Sequence, residues 1–478
     1  MKKKLVLINP HPQGRYGEED IRVIVQMPLN LAYIAAHTPR DEWEIDLIDE
    51  TRDDAIDENG KLTFDADLVG ITALTYQAGR GYKIAEACRR AGIKTVMGGT
   101  HAITATVEAV DHVDAVVTGE VEMVWRRLLS DFKEGKLQKL YDGGFPELEY
   151  LKVWPDREWA HAKYGYKYSS IITTKGCPWR CEFCSVPLAQ GKTFRERDVE
   201  DVLNEMEATP FRGLMFAEDN FYGYKPESNE RARKLFKGMV DRGIYKDWFG
   251  FTQFSTGHDK EALKYMGDSG CLGFLIGMES TDEQVLRKMR KGSNLKTGVE
   301  NYASAIQNIH DAGMIVWASV IWGADFQTKD CFKTMTDYLL EHSIDVLTFG
   351  VHCPFPETAL YKRMVQENRL LRTDFPDDWQ YYDTANLTHT LSHMTLDEFI
   401  EGMQYLYDHM YGEENLKKRF IETLKRNGNR RTAMFAYKVG MDWDKVFRQV
   451  LRNLYELRES GLYQKVVKER GLMVATAA

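Results

Sequence analysis

Over its first 135 residues the chain alternates short apolar runs with longer stretches of mixed character. KLVLIN (4–9), WEIDLID (43–49), DLVGIT (67–72), KTVMGG (94–99) and DAVVTG (114–119) have the length and apolar content of buried strands. Helical segments fall near 28–37, 78–91 and 121–134. Strands alternating with helices predict βαβ units and a parallel sheet, a Rossmann-like domain over 1–137. Such sheets bind ligands beyond the carboxyl ends of their strands. Four of those ends read INPHPQG, ITALT, MGGTHA and TGEVE, rich in Gly, Thr and His. They suit a binding rim, or simply tight turns.

Residues 138–168 show little periodicity and read as a linker. A second alternating region covers 169–375. Its strands are predicted at SSIITT (169–174), GLMFAE (213–218), WFGFTQF (248–254), CLGFLIGME (271–279), MIVWASVIWG (314–323) and VLTFGVH (346–352). Between them, Val199, Val202, Leu203 and Met206 follow the i, i+3, i+4, i+7 spacing of an amphipathic helix, with Asp198 as its N-cap. Ala232, Leu235, Phe236, Met239 and Val240 form a second such stripe. Six βα units in succession predict a partial (β/α)6 barrel, with its chemistry at the carboxyl ends of the strands. From 376 to 478 the pattern is helical. The expected class is α/β with a helical C-terminal region.

Composition fits a soluble protein of two or three domains: 43% apolar and 28% charged residues over 478 positions. The net charge of −9 argues against a nucleic-acid partner, because phosphate binding calls for a basic excess. Residues 415–458 run against that balance, with twelve Lys or Arg and four acids. They are solvated helix faces, or a contact with an anionic substrate or membrane surface. The apolar run after MKKK stops at Asn9, too short for a signal peptide. The expected compartment is the cytoplasm.

Three of the seven cysteines crowd into TTKGCPWRCEFCSVP (173–187), as C-x₃-C-x₂-C at Cys177, Cys181 and Cys184. Thiolates in one loop can bind zinc or an iron–sulfur cluster. Structural zinc takes four ligands, usually as two pairs, and no second pair follows. A cubane cluster normally takes four thiolates, so three leave one iron open to a substrate.

KGCPWRCEFCSVP on a first barrel strand resembles the cluster loop of radical S-adenosylmethionine (SAM) enzymes. The resemblance implies a [4Fe–4S] cluster on Cys177, Cys181 and Cys184, with SAM on the fourth iron. It implies SAM contacts at Phe183, at Glu218 and Asp219 in LMFAEDNF, at Gln253 and Ser255, and at Glu279 and Ser280 in IGMES. HCPFPET (352–358) is similar to the family's sixth-strand turn near adenine. The first domain resembles the cobalamin-binding domain of a large radical SAM subclass. By position, Thr72, Leu74, Thr75, Gly98, Gly99, His101, Gly119 and Glu120 would line the cofactor. Many cobalamin proteins ligate cobalt through the His of D-x-H-x-x-G. The nearest match here, NIHDAG (308–313), has Asn in place of Asp and sits at a barrel helix end, so His310 is expected to be structural. His11 and His101 are candidates for proximity to cobalt alone.

The segment from DDWQYYD onward resembles the region after the barrel in hopanoid C-2 methylases and their relatives, a group that includes anaerobic tetrapyrrole cyclases. The implied activity is cobalamin-dependent radical methylation of an unactivated carbon. A radical cyclase or carbon-coupling enzyme is the alternative, and a non-catalytic corrinoid-binding module a third. The implied partners are a small-molecule substrate, lipid or tetrapyrrole, and a reductant such as flavodoxin or ferredoxin. Trp317, Trp322, Phe349 and Phe355 either stand near the barrel mouth, where they would suit such a substrate, or fill the strand core, a reading at least as well supported because strands bury aromatics anyway.

Overall fold

The computed structural model describes residues 2–12 and 27–472. Six parallel strands form the first sheet: β1 (Lys3–Asn9), β2 (Trp43–Asp49), β3 (Leu68–Thr72), β4 (Lys94–Gly98), β5 (Ala115–Thr118) and β6 (Leu140–Asp142). Their order is β2-β1-β3-β4-β5-β6. Leu5, Val6, Leu7 and Ile8 are all buried, as expected of a strand covered on both faces. The glycine- and threonine-rich ends of β3, β4 and β5 therefore share one edge of the sheet.

The supposed linker is structured. β6 adds an edge strand to the sheet by pairing with β5, a short 3₁₀ turn covers Leu148–Lys152, and a helix runs Arg157–Tyr164. Asp156 caps that helix and Gly165 closes it in the left-handed region. Arg157 reaches from it to the Ser169 hydroxyl and to Glu205, binding the two alternating regions together.

The second sheet begins at β7 (Tyr168–Ile171). A two-stranded hairpin follows, β8 (Thr174–Lys175) with β9 (Arg195–Glu196). The sheet then continues through β10 (Gly213–Phe216), β11 (Asp247–Thr252), β12 (Cys271–Glu279), β13 (Ile315–Trp322) and β14 (Val346–Val351). All six strands are parallel, ordered β14-β13-β12-β11-β10-β7, as an open barrel. The predicted first strand is split: Ile171 ends it, and Thr174 already belongs to the hairpin that carries the cysteine loop.

Helices begin at Leu396, not at 376. Residues 382–395 are irregular, joined to the barrel's last turn by a Leu370–His389 bridge. The helices are Leu396–Met410, Glu413–Asn427, Arg430–Glu459 and Leu462–Glu469. Phe435, Ala436 and Val439 of the third plug the amino ends of the barrel strands, against Phe249, Leu272, Ile315, Trp317 and Val346. The barrel is thus closed at its floor and open at the carboxyl ends of its strands.

Much of the C-terminal basic excess is used internally. Arg426 pairs with the buried Asp345, Arg431 with Asp247, Arg448 with Asp444 and Lys417 with Glu413, while Arg419 is itself buried. No helix among the described residues is long and apolar enough to cross a membrane.

Candidate active site

The cysteine loop grows out of the β8–β9 hairpin. Gly176 enters it at φ +83°, and a Cβ there would lie 2.2 Å from Thr193 O, so glycine is required. Cys177 N donates to Gly191 O, and Cys184 N to Cys181 O. The loop is tied to two later elements through one residue. Glu182 N donates to Met289 O, and Glu182 O accepts from Leu360 N.

The three thiols are partly accessible and close enough to influence one another. Burial raises all three, and neighbouring thiols and Asp219 add to the rise at Cys184. Bare thiols here are hard to ionise; a bound cation supplies the charge that stabilises them as thiolates. Among the described residues no three His, Cys, Asp or Glu groups converge closely enough to hold a single metal ion.

The predicted SAM residues surround this loop but differ in orientation. Glu218 is turned into the protein, where its carboxylate accepts from the Thr173 hydroxyl at 2.5 Å and burial raises it to about 7. Asp219 is exposed, yet the protein packed around its carboxyl raises it to about 6. Ser280 Oγ accepts from Asp282 N, which caps the next turn. Ser255 Oγ is buried without a partner in the protein, and Gln253 lies beside it against Gly223.

Glu279 ends β12 at a register shift against β13, with φ +58°. A bulge of this kind re-aims a side chain, and bulges gather beside active sites. Oε1 accepts from Lys291 Nζ at 2.6 Å, and Oε2 is buried with no partner. Burial opposes the Lys291 ammonium, but Glu279, Cys181 and Cys184 outweigh it and hold the lysine charged. Lys291 also lies over the Phe183 ring at 5.8 Å. Phe183 in turn packs edge-on against His352, with ring centres 6.0 Å apart. The orphaned atoms of Ser255 and Glu279, with the exposed Asp219, suit a zwitterionic ligand such as the methionyl part of SAM.

Beneath the loop lies an ion network that sequence reasoning did not foresee. Glu182 accepts from Arg363 at 2.9 Å; Arg363 and Arg369 both bind Asp325, which also accepts from Ser392. The two guanidiniums overcome burial and hold Asp325 far below the usual carboxylate range.

Between the first sheet's rim and the barrel mouth is a cavity of about 250 Å³. Thr72, Gly98, Gly99, Gly119 and Glu120 line it from one side, and Ile172, Lys175 and Ala217 from the other. A Cβ on Gly98 would meet nothing within 4 Å, so the missing side chain leaves room for a ligand at the rim. Leu74, Thr75 and His101 are not part of this wall. Leu74 is exposed and Thr75 buried. His101 is fully buried, with Nε2 3.0 Å from the Tyr82 hydroxyl and 3.3 Å from Glu108. His11 stands near the end of the first described stretch, and Gln13 and Gly14, which end INPHPQG, lie outside the described residues. Glu120 bonds Lys175 at 2.6 Å and Arg195 at 2.7 Å, tying the rim directly to the hairpin that bears the cysteine loop.

Family models match along the chain in the same order as these units: a B12 binding domain over 25–129, the radical SAM superfamily over 171–339 and a domain of unknown function over 358–459. The chain thus carries a B12-binding domain followed by a radical SAM domain. This radical SAM protein is 28% identical over 428 residues to the bacteriochlorophyllide d C-12(1)-methyltransferase of Chlorobaculum tepidum, covering 87% of this chain and 89% of that one. It is 24% identical to the hopanoid C-2 methylase of Rhodopseudomonas palustris (73% and 66% covered). It is 25% identical to the anaerobic magnesium-protoporphyrin IX monomethyl ester cyclase of Rubrivivax gelatinosus (70% and 66%). Its fold is similar to that of the cobalamin-dependent SAM radical enzyme OxsB with aqua-cobalamin bound: TM-score 0.64, 14% identity, 98% and 84% covered. It is also similar to the radical SAM methyltransferase TsrM of Kitasatospora setae: TM-score 0.61, 17% identity, 79% and 78% covered.

The four aromatics left open between mouth and core lie in the core. Trp317 plugs the floor against Phe249, and Trp322 stacks on Phe332 outside the barrel. Phe349 packs on Phe447, and Phe355 joins the core between the two domains. His310 bonds Asp345 at 2.9 Å in the core, a structural role as expected.

Proposed function

We propose that this radical SAM protein methylates an unactivated carbon of an apolar ring system, a tetrapyrrole or a polycyclic lipid. The observation that carries the reading is the shared cavity, whose walls come from the B12-binding rim and the barrel mouth together. Cys177, Cys181 and Cys184 would hold a [4Fe–4S] cluster. Asp219 would accept from the methionyl ammonium of SAM, with Ser255 Oγ and Glu279 Oε2 offering further contacts. Gly98, where a Cβ would meet nothing, would let a flat corrin approach the backbone, while Gly99 and Gly119 serve the tight packing of the rim loops against Ala73 and Gly144. Bound together, these groups supply a 5′-deoxyadenosyl radical and a transferable methyl group. The chain's part is to hold them side by side and away from water, through the Glu120 pairs that fix the rim to the loop hairpin.

The names of the methyltransferase relatives support a ring-shaped substrate, and the apolar wall offered by Ile172, Ala217 and Val117 is compatible with one. A low-potential one-electron donor of the flavodoxin or ferredoxin kind would reduce the cluster. The test is anaerobic reconstitution with iron, sulfide and hydroxocobalamin, then desalting and a count of cobalamin per chain. A value near one, followed by label from methyl-deuterated SAM in an apolar product, supports the proposal. A value near zero with the cluster intact refutes it and leaves cyclisation, the chemistry named for the Rubrivivax relative. Label confined to peptides would refute the substrate class.

A further inference from the structure

Tyr224 lies outside every motif quoted above, yet its hydroxyl donates to Cys177 Sγ across 3.2 Å. Its position is fixed from three sides. The ring packs on Phe194 with centres 4.4 Å apart and on Trp179 at 6.3 Å. The preceding Gly223 has φ +94°, and a Cβ there would lie 2.0 Å from Gln253 Nε2, so the turn is pinned against the end of β11. Gly223 N donates to Asn229 Oδ1 at 2.8 Å, holding the same turn from the helix side. A phenol at this distance has one hydrogen to give and a sulfur to receive it, so the hydroxyl acts as the donor.

A hydrogen bond to a cysteine sulfur stabilises negative charge on that sulfur. Reduction of an iron–sulfur cluster adds negative charge that its sulfurs share, so such bonds make reduction easier. We propose that Tyr224 is a positioning residue that acts through Cys177 to raise the reduction potential of the cluster. This rests on the reading of Cys177, Cys181 and Cys184 as cluster ligands. The step concerned is the gain of one electron by the oxidised cluster from an external low-potential one-electron donor. No bond is broken, and the Tyr224 proton stays on oxygen. The protein thereby eases the first electron transfer before any substrate is engaged.

The test uses the full chain, reconstituted anaerobically with iron and sulfide but without SAM or cobalamin. Wild type, Tyr224→Phe and Phe194→Leu are titrated electrochemically, with the EPR signal of the reduced cluster as readout. Tyr224→Phe is expected to hold as much iron as wild type. Its ratio of reduced to oxidised cluster at the wild-type midpoint should fall about tenfold, the weight of one hydrogen bond to a charged group. For a one-electron couple that is about 59 mV toward more negative potential. Phe194→Leu disturbs the packing, keeps the hydroxyl, and should leave the potential in place. An unchanged potential in Tyr224→Phe overturns the proposal, as does an equal shift in Phe194→Leu. Loss of the cluster from a folded Tyr224→Phe chain also overturns it, by making the hydroxyl a structural prop. Should Phe at 224 prevent folding, the unaltered protein decides: in D₂O, pulsed EPR of the reduced cluster should show a strongly coupled exchangeable deuteron, and none would refute the bond. A wild-type chain that takes up no cluster is a separate outcome, and it removes the reading of the cysteines themselves.

Discussion

Replacing Glu120 by Gln removes the charge that joins the B12-binding rim to the loop hairpin. Glu120 is 6% exposed, and its partner Arg195 is 2% exposed. Without the carboxylate, the Arg195 guanidinium keeps Pro146 O at 2.5 Å and Gln190 O at 2.8 Å as acceptors, but neither carries a counter-charge. Breaking a buried pair by removing one partner typically costs about 3–5 kcal/mol. The two remaining carbonyls place the expected loss near the lower figure, about 3 kcal/mol. The assay is equilibrium urea unfolding, followed by tryptophan fluorescence and far-UV circular dichroism together, because a chain of several units can unfold in steps. The pH dependence gives a second readout. Burial would raise the Glu120 carboxyl, but Lys175 and Arg195 outweigh it and hold it below its ordinary value. Its contribution is therefore fully present above the unfolded carboxyl value of about 4.3 and is lost as pH falls through the lower folded value. The gap between wild type and Glu120→Gln should be widest near neutrality and close in acid. A loss below about 1 kcal/mol at neutral pH, the size of an exposed pair, would refute the reasoning.

Gly98→Val should fill the rim side of the cavity and cut the cobalamin retained after desalting at least tenfold, with iron per chain unchanged. Arg363→Met leaves Glu182 and Asp325 short of a cation; iron uptake on reconstitution should fall and the thermal transition drop, by a stability loss of about 3 kcal/mol. Trp379→Phe deletes the indole bond to Glu108 (2.9 Å) and should cost about 1 kcal/mol, measured by the shift in urea midpoint.

The strands were legible because each is a short, nearly continuous apolar run, and a buried parallel sheet demands that pattern. The cysteines were legible because three ligands lie within eight positions. β6 escaped notice because three residues, Leu140 to Asp142, carry no period. Glu182, Lys291 and Tyr224 escaped because each acts on the loop through the folded chain, and local spacing says nothing of such pairs. Glu218 and Asp219 lie just past the strand that ends at Phe216, so strand alternation does not tell which of the two turns inward to Thr173. For the aromatics at 317, 322, 349 and 355 sequence left core and mouth readings open, because strands need large side chains for their cores as readily as for a mouth, and the structure places them in the core.

The Trp379 contact also bears on how the protein is made. Its indole donates to Glu108 in the first domain, and its ring stacks on Phe375 at 3.7 Å. The B12-binding domain leaves the ribosome first and gains its Glu120 pairs once the β8–β9 hairpin follows, but this second fastening belongs to a segment synthesised only after all six barrel strands. The docking of the first domain is therefore completed in two stages set by the order of the chain, and the later one depends on the last part of the molecule to be made.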